Sequence, residues 1–545
     1  MHVDLLVHNA NIITMDTAHP RARTMAVHHG RVLTLDPDAA LSATTSIDAM
    51  GATVTPGFGD AHNHMAWFGL ALDEIDLSTA RDLDELYGMV AERAAVQPEG
   101  GYVTGSGYDQ TRLGAHPHRR ELDRASGGRL VWLKHRSGHV CAVSSEVLAR
   151  IGVLDGTATV PDGGIVVHDS DGPTGVLEEQ AQNLVVDEFL PCPVDTLRAA
   201  VGRASRLYAS EGLTHVTEAG IGRGWLGKSP VELSAYQEAR EQGELTVRVQ
   251  LMPAVSALHE LDGDDGDAMR FGLDLGMRSG FGDDRLRLGP TKIWLDGSMI
   301  ARTAAVHEPF CDHGHGHGYF QDDPAAMRRA VLAAHRGGWR VAAHAIGDRA
   351  VDLALDAFDE AQRDAPRPWL RHRIEHAGIT RPDQVRRMAE LGVTPVPQHR
   401  FLHEIGDTMS DAVGPERTDL LYRHAGFLRA GLRVPGSSDR PVVSGAPLAG
   451  MQSMVERLTA RGELLGPDER VDPLTALAAY TLDSAWVAGE EDRRGRLAPG
   501  YLADFVLLGE DVTTVPSGRI AATEVVATFV GGVCTHGEEA VPSAA

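Results

Sequence analysis

The chain has 545 residues, 43% hydrophobic and 23% charged, and this ordinary globular composition predicts a large core and more than one domain. The formal net charge is −25, from 51 basic and 76 acidic residues, which argues against a nucleic-acid partner because phosphate binding needs basic patches. The four cysteines form no CxxC pair, which argues against a thiolate zinc site and a disulfide scaffold. We find no segment typical of a signal peptide or a transmembrane helix, so we expect a cytoplasmic protein without a membrane partner.

Runs of β-branched residues with Gly or Asn turns occupy both ends of the chain. Neither end has enough strands to build a stable core alone, so we expect the two ends to pair. This pairing predicts one small discontinuous β-sandwich domain, formed by residues 1–56 and 496–540. The strand-like runs are residues 3–16, 24–35, 504–508 and 524–533.

The intervening segment, residues 57–495, alternates apolar strand-like runs with helical stretches rich in Ala, Arg and Glu. Repeated β–α units of this kind predict the α/β class, and we expect a TIM-like (β/α)8 barrel with its active site at the C-terminal ends of the strands. Residues from about 75 to 205 do not fit the alternation and predict an inserted subdomain. The predicted strands are 213–218, 245–253, 287–295, 339–345, 372–376, 393–398 and 432–438, and the predicted helices are 230–242, 324–336, 348–363, 382–391 and 418–430.

Candidate metal ligands follow several of these strands. Residues 55–65 (TPGFGDAHNHM) carry His62 and His64, which project from one face of an extended chain because they are two residues apart. In a chain with 26 histidines, an isolated pair of this kind is weak evidence of a metal site. Other strand ends carry further candidate groups, however, at Lys292, His344, His376 and Asp439.

The spacing of these residues supports a common site. His344 and His376 are one βα unit of about 30 residues apart, and Asp439 follows after two more units. The interval between His64 and Lys292 exceeds three units by roughly the length of the predicted insertion. With residues 55–65 counted as the end of the first barrel strand, before the seven strands given above, the candidates fall on the first, fourth, fifth, sixth and eighth predicted barrel strands. Each also has a structural interpretation, as a core histidine, a solvent-reaching lysine or a helix N-cap, but their shared position favours a metal site.

These motifs resemble the amidohydrolase superfamily of metal-dependent hydrolases, and most closely its amidohydrolase-3 branch, which includes N-substituted formamide deformylases. The resemblance spans nearly the whole chain. It rests on PGFGDAHNHM, KIWLDGSM followed by ARTA, HAIGDRAV, RIEHAG, SSDRPV and GRLAPGYLADFVLL. The segments SGH and GYDQ also resemble the inserted part of this branch.

The resemblance implies a centre of one or two divalent metal ions. One ion would be bound by two histidines of the first strand and an aspartate, the second by two later histidines, and a lysine carboxylated by CO2 would bridge them. Zn²⁺ is expected, with Mn²⁺ or Fe²⁺ as alternatives, and no organic cofactor is expected. In that order, the implied ligands are His62, His64, Asp439, His344, His376 and Lys292.

The implied reaction is hydrolysis of the C–N bond of an N-acyl or N-formyl amide by metal-activated water, with Asp439 as the catalytic base. The alternatives are a deaminase or cyclic-amide (imide or lactam) hydrolase of the same superfamily, and a catalytically silent regulatory or binding protein. The expected partner is a small-molecule amide, and a homodimer is left open. Four residues are candidate substrate contacts, although a structural role explains each as well: His139, Arg302, Tyr108 and Asp109.

Overall fold

The computed structural model describes residues 1–38, 41–97, 100–136, 140–161, 164–262, 270–311 and 316–540. The chain forms two compact units, one made of Met1–Ala66 with the chain from Val201 onward, and one made of Trp67–Ala200. The domain limits expected from the sequence, 1–56 with 496–540, 57–495 and about 75–205, remain predictions. Within the described ranges, no helix is both long and apolar enough to cross a bilayer.

Strands from both ends of the chain share one sheet in the first unit. Phe505–Leu508 pairs antiparallel with Thr53–Pro56. In the second sheet, alternate side chains of His2–His8 are buried, as expected for a strand with one covered face. The six-stranded sheet has the order Val533–His536, Val525–Val530, Phe505–Leu508, Thr53–Pro56, Asn11–Ile13 and Arg21–Ala22, and the four-stranded sheet has the order Arg31–Leu35, Met25–His28, His2–His8 and Ser42–Asp48.

Two further sheets of the first unit are parallel, with four strands each. All nine residues of Leu213–Ile221 are buried, which is typical of a parallel strand covered on both faces. One sheet has the order Leu286–Leu288, Arg248–Pro253, Leu213–Ile221 and Phe58–Asn63, and the other has the order Thr291–Trp294, Val341–Ala345, Arg373–His376 and Thr394–Val396. A small antiparallel pair, His259–Glu260 with Phe271–Gly272, completes the strands of this unit.

Two of the predicted strands differ in the structure. The run 287–295 is divided between the two parallel sheets at Pro290, which has no N–H to donate to a neighbouring strand. Residues 432–438 form no regular strand, since Pro435 and Gly436 disfavour one, although Ala61 N–H donates to the Gly436 carbonyl at 3.0 Å. The described residues therefore show a mixed α/β fold, which confirms the class, but not a closed (β/α)8 barrel.

Helices alternate with the parallel strands. In Asp348–Asp364, apolar residues recur every three or four positions and are buried, so the helix packs one face inward. The predicted helix 418–430 is instead a 3₁₀ turn, Pro415–Leu420, and a short helix, Ala425–Arg429. The other helices of this unit are Glu232–Glu241, Pro324–Arg336, Pro382–Leu391, Arg400–Glu404, Gly406–Val413, Pro447–Glu456, Pro473–Ala478 and Ser484–Ala488, while Met65–Ala71 and Val194–Ser210 cross the limits between units.

The second unit is built on a mixed six-stranded sheet. Its core consists mainly of aliphatic side chains such as Leu86, Val103 and Leu133. The strand order is Gly164–Asp169, Gly172–Glu179, Val140–Val143, Leu130–His135, Tyr102–Tyr108 and Ile75–Asp76. The helices are Leu83–Val96, Gln110–Leu113, Arg119–Ser126, Ser145–Arg150 and Gln182–Phe189.

A buried ion pair joins a parallel strand to the terminal sheet. Arg248 donates two hydrogen bonds to the carboxylate of Asp504, at 2.7 and 2.8 Å. The Gly531 N–H donates to the same carboxylate at 2.7 Å. Burial opposes ionisation of Asp504, but the Arg248 charge outweighs burial and holds the pKa of this carboxyl below its usual value. Because both charges are buried, each depends on the other.

Replacing Asp504→Ala should lower the free energy of unfolding by about 3–5 kcal/mol, because Arg248 would be left as a buried, unpaired charge. The control is Glu510→Ala, which breaks an exposed pair with Arg519 and should cost about 1 kcal/mol or less. Unfolding in denaturant, followed by circular dichroism, measures both variants. Equal losses in the two variants would contradict this role for the buried pair.

Candidate metal centre

The strand Phe58–Asn63 carries the first predicted ligands into the interior. His62 is 0% exposed and His64, one residue beyond the strand, is 4% exposed. The carboxylate of Asp60 accepts hydrogen bonds from the backbone N–H groups of His62 and Ser438, at 3.0 and 3.1 Å. Burial raises the pKa of Asp60 to about 6. Asp60 therefore fixes the end of this strand against the segment that carries Asp439.

Three of the predicted ligands converge in one buried cluster. A ring nitrogen from each of His62 and His376 and a carboxylate oxygen of Asp439 all lie within 4.8 Å of one another. Asp439 Oδ1 lies 3.2 Å from His62 Nε2 and 2.9 Å from His64 Nε2. Imidazole nitrogen and carboxylate oxygen are the ligands that zinc and similar divalent ions take in proteins. The chemistry of this donor set fits a metal.

Outer hydrogen bonds orient two of these imidazoles. His62 contacts the Glu375 carboxylate through Nδ1, and Glu375 also accepts a hydrogen bond from Arg373 at 2.9 Å. His376 Nδ1 donates to the Gln398 amide oxygen at 2.7 Å. When Nδ1 carries the proton, Nε2 keeps a lone pair for a metal. These contacts are the outer contacts that metal-binding histidines require.

Lys292 and His344 lie next to the cluster. Lys292 is 1% exposed, its Nζ is 3.3 Å from His62 Nε2, and burial lowers its pKa to about 8. The His344 ring centroid lies 4.4 Å from that of His376. His344 Nε2, however, donates to the Gly297 carbonyl at 3.0 Å. All six predicted ligands are thus brought together, with His344 directed at a backbone carbonyl.

Charge states in the centre suit a cation. Burial lowers the pKa of His64 to about 4 and that of His344 to about 3, which keeps both imidazoles neutral and able to bind a metal. Burial also opposes ionisation of Asp439, but its contacts with His62 and His64 outweigh burial and hold its pKa well below its usual value. The centre therefore combines the ionised carboxylate of Asp439 with the neutral imidazoles of His64 and His344.

Backbone strain marks two of the ligands. His376 has φ 71° and Asp439 has φ 61°, in the left-handed region that few residues other than glycine adopt. Such conformations persist where the surrounding structure holds them, and they concentrate at functional sites. The strain is consistent with a site whose ligand positions are imposed by the fold.

The candidate substrate contacts have other contacts in the structure. Arg302 donates to the carbonyls of its own loop, at Met299 and Ile300. In the second unit, Tyr108 is buried and its hydroxyl lies 3.1 Å from His116 Nδ1, while Asp109 accepts from the first turn of Gln110–Leu113 and from Arg136. His139 lies outside the described residues. A role in substrate binding remains a prediction for all four: His139, Arg302, Tyr108 and Asp109.

Sequence reasoning assigned no role to three residues that orient the centre: Asp60, Glu375 and Gln398. Asp60 lies two positions before His62 and therefore on the same face of the strand. This position could have indicated that Asp60 belongs to the centre. Glu375 is adjacent to His376 in RIEHAG, but its contact with His62 joins two strands that are distant in the sequence. Gln398 follows the short strand Thr394–Val396, but a side-chain amide is not a typical metal ligand, so its position alone did not indicate a role.

Residues 45–536 match the model of a family described as the amidohydrolase family. The chain belongs to the amidohydrolase family. The membership predicted from the motifs is therefore confirmed, and the buried donor cluster is the candidate metal site of an amidohydrolase.

Relatives of this amidohydrolase cover nearly its full length. It is 30% identical to Protein LONG AFTER FAR-RED 3 of Arabidopsis thaliana over 97% of this chain and 91% of that one. It is 29% identical to the N-substituted formamide deformylase of Arthrobacter pascens over 98% of both chains. An uncharacterized metal-dependent hydrolase from Pyrococcus furiosus has a similar structure, with a TM-score of 0.77 and 27% identity over 94% of this chain and 100% of that one. Together these findings identify a hydrolytic enzyme.

Glu375→Gln should weaken metal binding about 10–100-fold, because a neutral amide holds the His62 ring less firmly than a carboxylate does. Competition with a coloured chelator measures the affinity for Zn²⁺. Glu260→Gln, an exposed position, is the control and should bind as the wild type does. Unchanged affinity in Glu375→Gln, with an unchanged melting temperature, would show that this carboxylate does not support the centre.

Proposed function

We propose that this amidohydrolase cleaves the C–N bond of an N-acyl or N-formyl amide, giving a carboxylic acid and an amine. The observation that carries the proposal is the buried cluster of His62, His376 and Asp439, with Lys292 beside it. The relative from Arthrobacter pascens, an N-substituted formamide deformylase, supports this substrate class. The expected partner is therefore a small-molecule amide.

A bound divalent ion, with Zn²⁺ first and Mn²⁺ or Fe²⁺ as alternatives, would supply a polarised carbonyl and water that ionises near neutral pH. His62, His64 and Asp439 are proposed to hold one ion, and His344 and His376 a second. Binding by His344 requires its Nε2 to exchange the Gly297 carbonyl for the ion.

Asp439 is proposed to move the proton. Its ionised carboxylate accepts a proton from the attacking water, whose oxygen bonds to the carbonyl carbon. As the C–N bond breaks, Asp439 returns that proton to the leaving nitrogen. The proton balance is then complete without an organic cofactor.

Lys292 is proposed to carry a carboxylate added by CO2 and to bridge two ions. Its buried position, 3.3 Å from His62 Nε2, supports this role, since a lysine rarely lies inside a protein without a specific partner. A carbamate on Nζ would supply two oxygen atoms where an ammonium group supplies none.

We also propose that the two parallel sheets belong to one TIM-like (β/α)8 barrel. Ala254 and Lys292 form an isolated parallel bridge between the two sheets. The Ala61 to Gly436 hydrogen bond supports residues 432–438 as the eighth, irregular strand. In a barrel of this kind, the predicted ligands would lie at the C-terminal ends of the strands, where active sites occur.

The proposed function is tested by a substrate screen on protein loaded with Zn²⁺ or Mn²⁺, in which released amine and acid are measured. The panel contains N-formyl and N-acyl amides, lactams, imides and amino-substituted heterocycles. Release of amine and acid from an open-chain amide supports the proposal. Turnover limited to cyclic amides or to deamination replaces it, and no turnover of any compound contradicts it.

Asp439→Asn should reduce kcat by about 10²–10⁴-fold, because an amide cannot accept the proton of water. Metal analysis of the same sample separates this effect from loss of the ion. Asp411→Asn, at an exposed position, is the matched control. Near-normal kcat in Asp439→Asn would contradict its role as the base.

Lys292→Ala should lose metal, since the bridging group is removed, and short carboxylic acids such as propionate should restore part of it. Elemental analysis before and after addition of the acid measures both effects. Lys134→Ala, which lies in the second unit beside Glu74, is the control and should keep its metal. Full metal content in Lys292→Ala would show that this lysine is not a ligand.

A further inference from the structure

Tyr422 has a buried hydroxyl to which the proposed reaction assigns no role. The side chain is 0% exposed and is among the largest that are fully buried. Its hydroxyl has no hydrogen-bond partner within the part of the chain that the structure describes. Burying a hydroxyl without a partner is unfavourable, so such a group in a native protein calls for an explanation, and a catalytic role is one such explanation.

The position of Tyr422 connects it to the metal centre. Its backbone N–H donates to the Gly378 carbonyl at 2.9 Å, two residues beyond His376. Its ring packs against Phe401, with centroids 5.4 Å apart, and Phe401 in turn stacks on the His376 ring at 6.4 Å. Tyr422 thus contacts the surroundings of His376 through both its backbone and its ring.

The charges that act on the hydroxyl belong to the centre. Burial raises the pKa of Tyr422 well above its usual value. Two carboxylates raise it further: that of Asp439, and that of Asp296, whose Oδ1 lies 3.5 Å from His344 Nε2. The hydroxyl therefore lies within electrostatic reach of Asp439 and keeps its proton at neutral pH. It is available as a donor.

The Tyr422 backbone is held in place. Its φ is 41°, in the left-handed region, which is unusual for a bulky residue. The buried guanidinium of Arg457 donates to the carbonyls of Tyr422 and Leu421, at 3.0 and 2.9 Å. The Arg457 guanidinium therefore holds the strained backbone of Tyr422 in one conformation, which fixes the position of the Tyr422 side chain.

Apolar side chains pack around Tyr422. Tyr422 belongs to a buried apolar cluster that draws on the segments following several parallel strands. A hydrogen bond made among such side chains is stronger than one made in water, because the local dielectric constant is low. Members of the cluster that follow predicted ligands closely are Ile346, Ile379 and Val443.

We propose that the Tyr422 hydroxyl donates a hydrogen bond to the carbonyl oxygen of the amide substrate. The inference rests on the proposed function, since it takes an amide as the substrate. The bond strengthens as negative charge builds on that oxygen while water adds to the carbonyl carbon, so it lowers the barrier rather than only aiding binding. Tyr422 keeps its proton throughout and forms no covalent bond.

Tyr422→Phe tests the inference, because it removes the hydroxyl and keeps the ring that packs on Phe401. With a substrate found in the screen, kcat should fall about 10²–10³-fold, with a smaller change in KM and unchanged metal content. The control is Tyr501→Phe, at a position just before the strand Phe505–Leu508, where the guanidinium of Arg496 lies over the ring. This variant should match the wild type. Wild-type kcat in Tyr422→Phe would overturn the inference and leave the proposed function standing.

The melting temperature supplies a second readout. Tyr422→Phe should melt at or above the wild-type temperature, because an unpaired buried hydroxyl is removed. A clearly lower melting temperature would show that the hydroxyl has a structural partner and would overturn the inference. A wild-type enzyme that hydrolyses no amide would instead contradict the proposed function, and this inference with it.

Discussion

The pair between Arg373 and Glu375 is the interaction on which the centre depends. Both side chains are fully buried, and Glu375 contacts His62 through the same carboxylate oxygen that accepts from Arg373. Burial favours the protonated form of Glu375, but the Arg373 charge outweighs it and holds the pKa of Glu375 well below its usual value. An ionised Glu375 can then fix the proton of His62 on Nδ1 and leave Nε2 for a metal.

Other residues of the centre orient the predicted ligands in the same way as Glu375 orients His62. Asp60 holds the backbone of His62, and Gln398 fixes the His376 ring as Glu375 fixes that of His62. The result is a group of nitrogen and oxygen donors that are oriented by the protein before any ion binds. For His62 and His376, preorganisation of this kind lets the buried site bind a cation without first rearranging these two side chains. Tyr422 is oriented in a similar way, because Arg457 holds its backbone, and its hydroxyl is the group proposed to contact the substrate.

Much of the centre could be read from local patterns. His62 and His64 share a strand face, and Lys292, His344 and His376 end or lie within parallel strands that the apolar runs predict. These signals are local in the sequence, because a strand's periodicity and the polar residue that ends it are encoded within a few positions. Long-range features were less accessible. The division of the predicted strand at Pro290, and the irregular segment near Gly436, depend on which neighbours complete the hydrogen bonds.

Motifs and periodicity are formed by neighbouring residues, so the family, the α/β class and the candidate ligands could all be predicted from the amino-acid sequence. The groups that support those ligands could be identified only from the folded chain. Glu375 reaches His62, and Asp60 reaches Ser438, across segments that are hundreds of residues apart in the chain. Among the residues that the structure describes, the Tyr422 hydroxyl has no hydrogen-bond partner, and this too became visible only in the folded protein, because burial and hydrogen bonding are properties of packing.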